Sequence, residues 1–218
     1  MKIEEINESI EKIAKDRNIS LNEPSMSEVS FVYVDIRKLA KAIGKNDELG
    51  HELINTKSYL HMLLGAMLLV PNNMSEIELY DYLDECKNPL FIDEIAFNAY
   101  LDNPGICYLE SFYYSSNVGR ARFGFDIITF KVMKSDIDDI DIDAILYFIE
   151  KKMGNTDYVI ADAMNKCLCE IGVWLDDYTE KAIGVGKRVG PITKRTHSIG
   201  FSTYAPDYIY ANRERQRF

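Results

Sequence analysis

Apolar residues recur at helical spacing along almost the whole chain. Ile3, Ile6, Ile10 and Ile13 form a stripe at i, i+3, i+7 and i+10, with Glu4, Glu5, Glu8 and Glu11 outside it. Residues 18–30 are polar, contain Pro24 and read as a linker. Asp35 is placed to cap a helix carrying Ile36, Leu39, Ala40 and Ile43, which Gly44 ends. Asp47 opens the next helix. A mostly apolar helix over 58–70 stops at Pro71. Ser75 and Glu78 form a capping box at the head of a helix ending near Cys86. Further helices are predicted over 90–101, 106–114, 120–133, 143–153, 158–171 and 176–189. No segment alternates with a period of two between hairpin turns, so a sheet is not expected. Eleven or twelve helices of about 10–14 residues with short loops suggest helical hairpins stacked as a solenoid, with a compact bundle as the alternative.

Composition sharpens this picture. A length of 218 residues fits one domain or two small ones. With 47% hydrophobic residues the chain can bury a sizeable core. The N-terminus has no apolar centre of the signal-peptide kind, and the longest apolar stretch, 62–70, is far short of the roughly 20 residues a bilayer requires. A cytoplasmic protein without membrane contact is expected. Four cysteines do not make a disulfide scaffold, and Cys167 and Cys169, two apart on a helix, point to nearly opposite faces, as buried free thiols would.

Charge is unevenly spread. The whole chain holds 25 Lys and Arg against 35 Asp and Glu, a formal charge of −10. Residues 181–218 hold 8 basic and 2 acidic residues, so the tail is +6 and the body −16. Such a balance argues against a general polyanion binder, because nucleic-acid affinity comes mainly from Lys and Arg displacing phosphate counterions. A local basic strip is still compatible with it.

Several patterns carry candidate chemistry. In SDIDDIDIDA, Asp139, Asp141, Asp143 and Glu150 match positions 1, 3, 5 and 12 of a calcium loop, but Ala144 stands where the sharp turn needs Gly. An acidic loop whose Asp141 or Asp143 caps the next helix is the simpler reading. His51, His61 and His197 are scattered, and His61 lies in an apolar helix, where a hydrogen-bonded core role is expected. No zinc-protease, paired-cysteine or phosphate-loop motif occurs, so neither a metal nor a cofactor is expected. Asp93, within NPLFIDEIAFNAY, is either a helix cap or an acid in a partly dry cleft. Arg120 and Arg122 are candidates for a phosphate clamp or for pairing with nearby acids. Lys187, Arg188, Lys194 and Arg195 lie on a Gly- and Pro-containing loop, which is either a candidate anion-binding edge or an exposed loop docked on the acidic body.

These segments resemble, in order, the motifs of a known family. Residues 34–71, VDIRKLAKAIGKNDELGHELINTKSYLHMLLGAMLLVP, are similar to early repeats of the HEAT-like bacterial DNA alkylation repair proteins, the alkylpurine DNA glycosylases. NPLFIDEIAFNAYL (88–101) resembles their W-x-x-x-D segment and following helix. RARFGFDIITF (120–130) resembles their arginine-bearing helix, and DYVIADAMNKCLCEIG (157–172) a later helix with a Trp. IGFSTYAPDYI (199–209) is similar to the ending of some relatives. The resemblance covers about 34–209. It implies an all-α, right-handed superhelix of HEAT-like hairpins forming one domain over 1–218, with residues 1–30 as N-terminal helix and linker and 190–218 as a basic C-terminal segment. In the family the concave face of that superhelix cradles duplex DNA.

In the family a carboxylate stabilises charge developing on the sugar while aromatic rings contact a cationic base. By resemblance Asp93 falls on the catalytic acid and Arg122 on the family's arginine. The two Trp positions fall on Pro89 and Lys166. Lost aromatics and an acidic body imply a diverged, non-catalytic binding scaffold. The alternatives are an active glycosylase excising N-alkylated purines from duplex DNA with Asp93, and a protein-binding solenoid. The expected partner is duplex DNA, weakened by net acidity, or another protein.

Overall fold

The computed structural model describes residues 3–21, 26–70, 74–86, 88–102, 109–193 and 203–216. These residues form twelve α-helices and no strand. None of the described helices is long and apolar enough to cross a membrane. The chain divides into two compact units, the first holding the described residues up to 102 and the second those from 109.

The first unit contains α1 (Ile3–Arg17), α2 (Met26–Ile43), α3 (Asp47–Asn55), α4 (Tyr59–Leu68), α5 (Glu76–Glu85) and α6 (Pro89–Asp102). The isoleucine stripe of α1 is the buried stripe: Ile6 and Ile10 are fully covered and pack with Ile36, Leu53, Leu60, Leu63 and Leu64. The sequence signals set most helix ends. Ser75 and Glu78 form the expected reciprocal capping box, and Gly44, at φ 81°, ends α2 in a conformation a side chain disfavours. His61 is the buried, hydrogen-bonded histidine expected, its two ring nitrogens 2.9 Å from Ser58 Oγ and 3.2 Å from Asn7 Oδ1.

Two expectations are corrected. α2 begins at Met26, so the helix claims residues 26–30 of the presumed linker. Asp35 consequently lies within α2 and caps nothing. It receives Arg17 of α1 at 2.7 Å and Lys38 at 3.4 Å, and the Arg17 hydrogen bond holds its carboxyl below the usual range.

The second unit contains α7 (Leu109–Tyr113), α8 (Val118–Met133), α9 (Ile142–Lys152), α10 (Tyr158–Trp174), α11 (Thr179–Val189) and α12 (Ala205–Gln216). Helix α12 was not foreseen in the basic segment. It has almost no apolar face of its own and docks through Ala205 and Ile209, which are fully buried. The register of this unit is written in its polar contacts. Arg122 meets Asp162 and Asp126 meets Lys166, each pair 40 residues apart, so α8 and α10 run parallel. Asp143 meets Lys181 and Glu150 meets Arg188, each pair 38 apart, so α9 and α11 also run parallel. Helical hairpins α8–α9 and α10–α11 therefore repeat with an offset close to the roughly 40 residues of a HEAT-type unit.

Candidate nucleic-acid interface

The parallel register brings like turns of the second unit to the same end, although Lys131, Lys181 and Arg213 pair with acids at the acidic end and Glu150 and Asp157 lie at the basic one. The α8–α9 turn carries Asp136, Asp138, Asp139 and Asp141, and the α10–α11 turn carries Asp176 and Asp177. At the opposite end, the C-terminal turns of α9 and α11 bring Lys151, Lys152, Lys187 and Arg188 beside the N-termini of α8 and α10. Helix N-termini carry partial positive charge, which adds to these side chains. Lys151, Lys152 and Lys187 are exposed. Arg188 is exposed too, but Glu150 receives it at 2.7 Å, and that bond lowers the pKa of Glu150.

The same end holds two shallow depressions. One, of about 520 Å³, is lined by Tyr113, Tyr114, Phe148, Lys152, Asn155 and Thr156, among others. The other, of about 210 Å³, adjoins it at Thr156 and is lined by Tyr158, Pro191 and Ile192. Tyr114 is 51% exposed, and its ring stands edge-on to Phe148 with centroids 4.9 Å apart.

Arg120 sits half-buried in the first turn of α8. Arg122 is corrected as a phosphate-clamp residue. Its side chain is 0% exposed, it donates to Val159 O at 2.9 Å and Asp162 Oδ2 at 3.3 Å, and its Nε lies 3.7 Å from Asp126 Oδ2. A guanidinium enclosed in this way neutralises buried carboxylates and does not reach a phosphate. Lys194 and Arg195 lie outside the described residues.

Polar residues continue the pattern along α10 at intervals of four: buried Asp162, Lys166 and Glu170, then Trp174, which is exposed. Lys166, standing where the resembled family has Trp, donates to buried Asp126 at 2.6 Å. Glu170 receives Trp174 Nε1 at 2.6 Å and the Tyr208 hydroxyl at 3.0 Å. Burial pushes its pKa above the usual carboxylate value, against the pull of those two hydrogen bonds and Lys166. This ladder has no counterpart among the sequence motifs. Its signal is a charged or polar residue every fourth position on otherwise apolar helices, repeated 40 residues later.

Asp93 belongs to the first unit. It is half-buried in α6, whose cap is Asn88: Phe91 N donates to Asn88 Oδ1 at 3.1 Å. The cap reading of Asp93 is thereby corrected. Beside it, Glu94 is 5% exposed and accepts from Arg37 at 3.0 Å and from the Tyr33 hydroxyl. Burial and the charges of Glu94 and, more weakly, Asp93 raise the pKa of Tyr33, so its phenol stays protonated. The Arg37 guanidinium lies 4.9 Å from the centre of the Tyr33 ring. An aromatic ring within electrostatic reach of Asp93 therefore already carries a cation.

The acids of the calcium-like pattern are individually engaged. Asp141 caps α9 by accepting Ala144 N at 2.9 Å, as the simpler reading expected. Asp143 pairs with Lys181, Asp139 with Lys131, and Glu150 with Arg188. Cys86, Cys167 and Cys169 are buried free thiols.

A solved structure matches the chain with a TM-score of 0.77, covering 100% of this chain and 96% of that one at 18% identity. The fold is that of a HEAT-like repeat protein. The matched protein is described as one of a new family related to the HEAT-like repeat DNA glycosylases with affinity for branched DNA structures. No family model matches the sequence, and no curated protein does. Within this HEAT-like fold, the parallel α8–α10 and α9–α11 stacks are successive repeats, which explains why one kind of turn can be acidic twice and the other basic twice.

Proposed function

We propose that the protein is a DNA-binding scaffold that prefers branched DNA and does not cleave glycosidic bonds. The observation supporting it is the gathering of Lys151, Lys152 and Lys187, all exposed, with the N-termini of α8 and α10 at one end of the second unit. Phosphate contacts of this kind give affinity without reading base sequence. A cluster at one end suits a junction, where several backbones converge on a compact area, better than a long linear tract. The similarity to a protein described as having affinity for branched DNA points the same way.

Loss of glycosylase chemistry rests on the lost aromatic positions of the sequence and on the contacts around Asp93 within the first unit. Pro89 and Lys166 replace the aromatics of the resembled family, and Arg37 covers a face of Tyr33. A cationic base would meet a guanidinium where an open ring is needed.

Electrophoretic shift with a four-way junction, a fork and a linear duplex of matched sequence tests the binding. The junction should shift at a protein concentration about tenfold lower than the linear duplex. Equal shifts for all three would overturn the branch preference. Release of methylated bases from alkylated duplex DNA, abolished by Asp93→Asn, would overturn the non-catalytic reading.

A further inference from the structure

We propose that the aromatic depression of the second unit seats one unpaired nucleotide of the bound DNA, with its base on Tyr114 and its phosphate toward Lys152. This rests on the DNA-binding reading above and names the feature of branched DNA that the site would select.

The geometry of the depression supports this occupant. Its volume, about 520 Å³, falls in the ordinary range of small-ligand sites. Tyr114 follows α7 directly and is 51% exposed. Its ring contacts those of Tyr113, at 4.3 Å between centroids, and of Phe148, edge-on at 4.9 Å. Such a ring is pre-positioned, so stacking a base on it orders little that was mobile. Bases stack on aromatic side chains with little regard to sequence, and a neighbouring cation follows the backbone.

Lys152 supplies that cation at the rim, next to Lys151 in the last turn of α9. Ser115, Asn155 and Thr156 add hydrogen-bonding groups to the wall. Asp157 also lines it, but its carboxylate is engaged by Val159 N at 2.8 Å as the cap of α10. Its remaining acceptor capacity suits an exocyclic amino group of a base better than a phosphate. The depression thus offers a ring for the base, acceptors for its edge and a cation for the phosphate.

A base paired and stacked in a duplex cannot present its face to Tyr114. An unpaired residue at a fork, gap or imperfect junction can. The site would therefore add affinity for branched DNA only where unpaired nucleotides occur.

The test uses the full chain and two three-way junctions, one fully paired and one with two unpaired thymidines at the branch. Wild-type protein should bind the second more tightly. Tyr114→Ala should weaken that binding about tenfold, in line with the roughly 1–3 kcal/mol of base stacking, and leave the fully paired junction unchanged. Tyr114→Phe should bind both as wild type does, which separates loss of the ring from loss of the fold. 5-Iododeoxyuridine placed at the unpaired position should photocrosslink to the peptide containing Tyr114. Equal binding of the unpaired junction by wild type and Tyr114→Ala, or crosslinking elsewhere, would overturn the proposal while leaving DNA binding intact. Absence of binding to either junction would overturn the underlying DNA-binding reading itself.

Discussion

Lys166 of α10 reaches 2.6 Å to the carboxylate of Asp126 on α8, and both groups are buried. Four residues earlier on each helix, Arg122 meets Asp162. Two cations and two carboxylates thus cross-link successive repeats in one register. A one-residue slip between α8 and α10 would separate all four. Such groups gain little over a well-packed apolar core, but leaving one of them without its counter-charge is costly.

Removing the most enclosed member should therefore be severe. Arg122→Met leaves Asp126 with less than its full countercharge and should lower stability by about 3 kcal/mol, read by urea denaturation. Adding Asp126→Asn removes the stranded charge and should recover part of the loss. If the two effects simply add, the carboxylate was not what made the first substitution costly.

Glu170 makes a titration visible through the single tryptophan. Its pKa is raised above the ordinary 4.5 by burial, so the fold favours the neutral acid. The sign follows: this group's stabilisation is present below pH 4.5 and is lost as pH rises through its higher folded pKa. Trp174 donates to that same carboxylate and is the only tryptophan in the chain. Its fluorescence should titrate with a midpoint above 4.5, and Glu170→Gln should abolish the transition.

Helix α7 depends on a missing side chain. A Cβ on Gly124 would lie 2.5 Å from Tyr113 N and 2.9 Å from Tyr113 Cα, both backbone atoms that cannot turn aside. Gly124→Ala should therefore push α7 off α8 and displace Tyr113 and Tyr114. Faster amide hydrogen exchange across 109–114, with α10 and α11 unchanged, is the expected result.

The helices of this fold are legible because their apolar stripes and caps are local. The isoleucines of α1, the capping box at Ser75 and the cap at Asp141 all appear where the sequence places them. α12 was illegible because burial of Ala205 and Ile209 against the rest of the second unit holds it there, with no stripe of its own to announce it. Arg122 shows the limit for sites. An arginine in a sequence looks equally suited to phosphate and to carboxylate, and only its buried partners, Asp126 on the same helix and Asp162 40 positions away, decide between them. The same distance hid the charge partition. In sequence, SDIDDIDID and KKMGNT are neighbours; only the parallel stacking of hairpins sends their like-charged counterparts to the same ends.

The central claim is that the basic end of the second unit holds DNA, and charge reversal there tests it most directly. The variant Lys151→Glu/Lys152→Glu/Lys187→Glu alters three exposed side chains and should leave thermal stability nearly unchanged. Its affinity for a four-way junction should fall at least tenfold, with a shallower dependence on salt, because fewer counterions are released on binding. Junction affinity and salt dependence equal to those of the wild type would contradict the account.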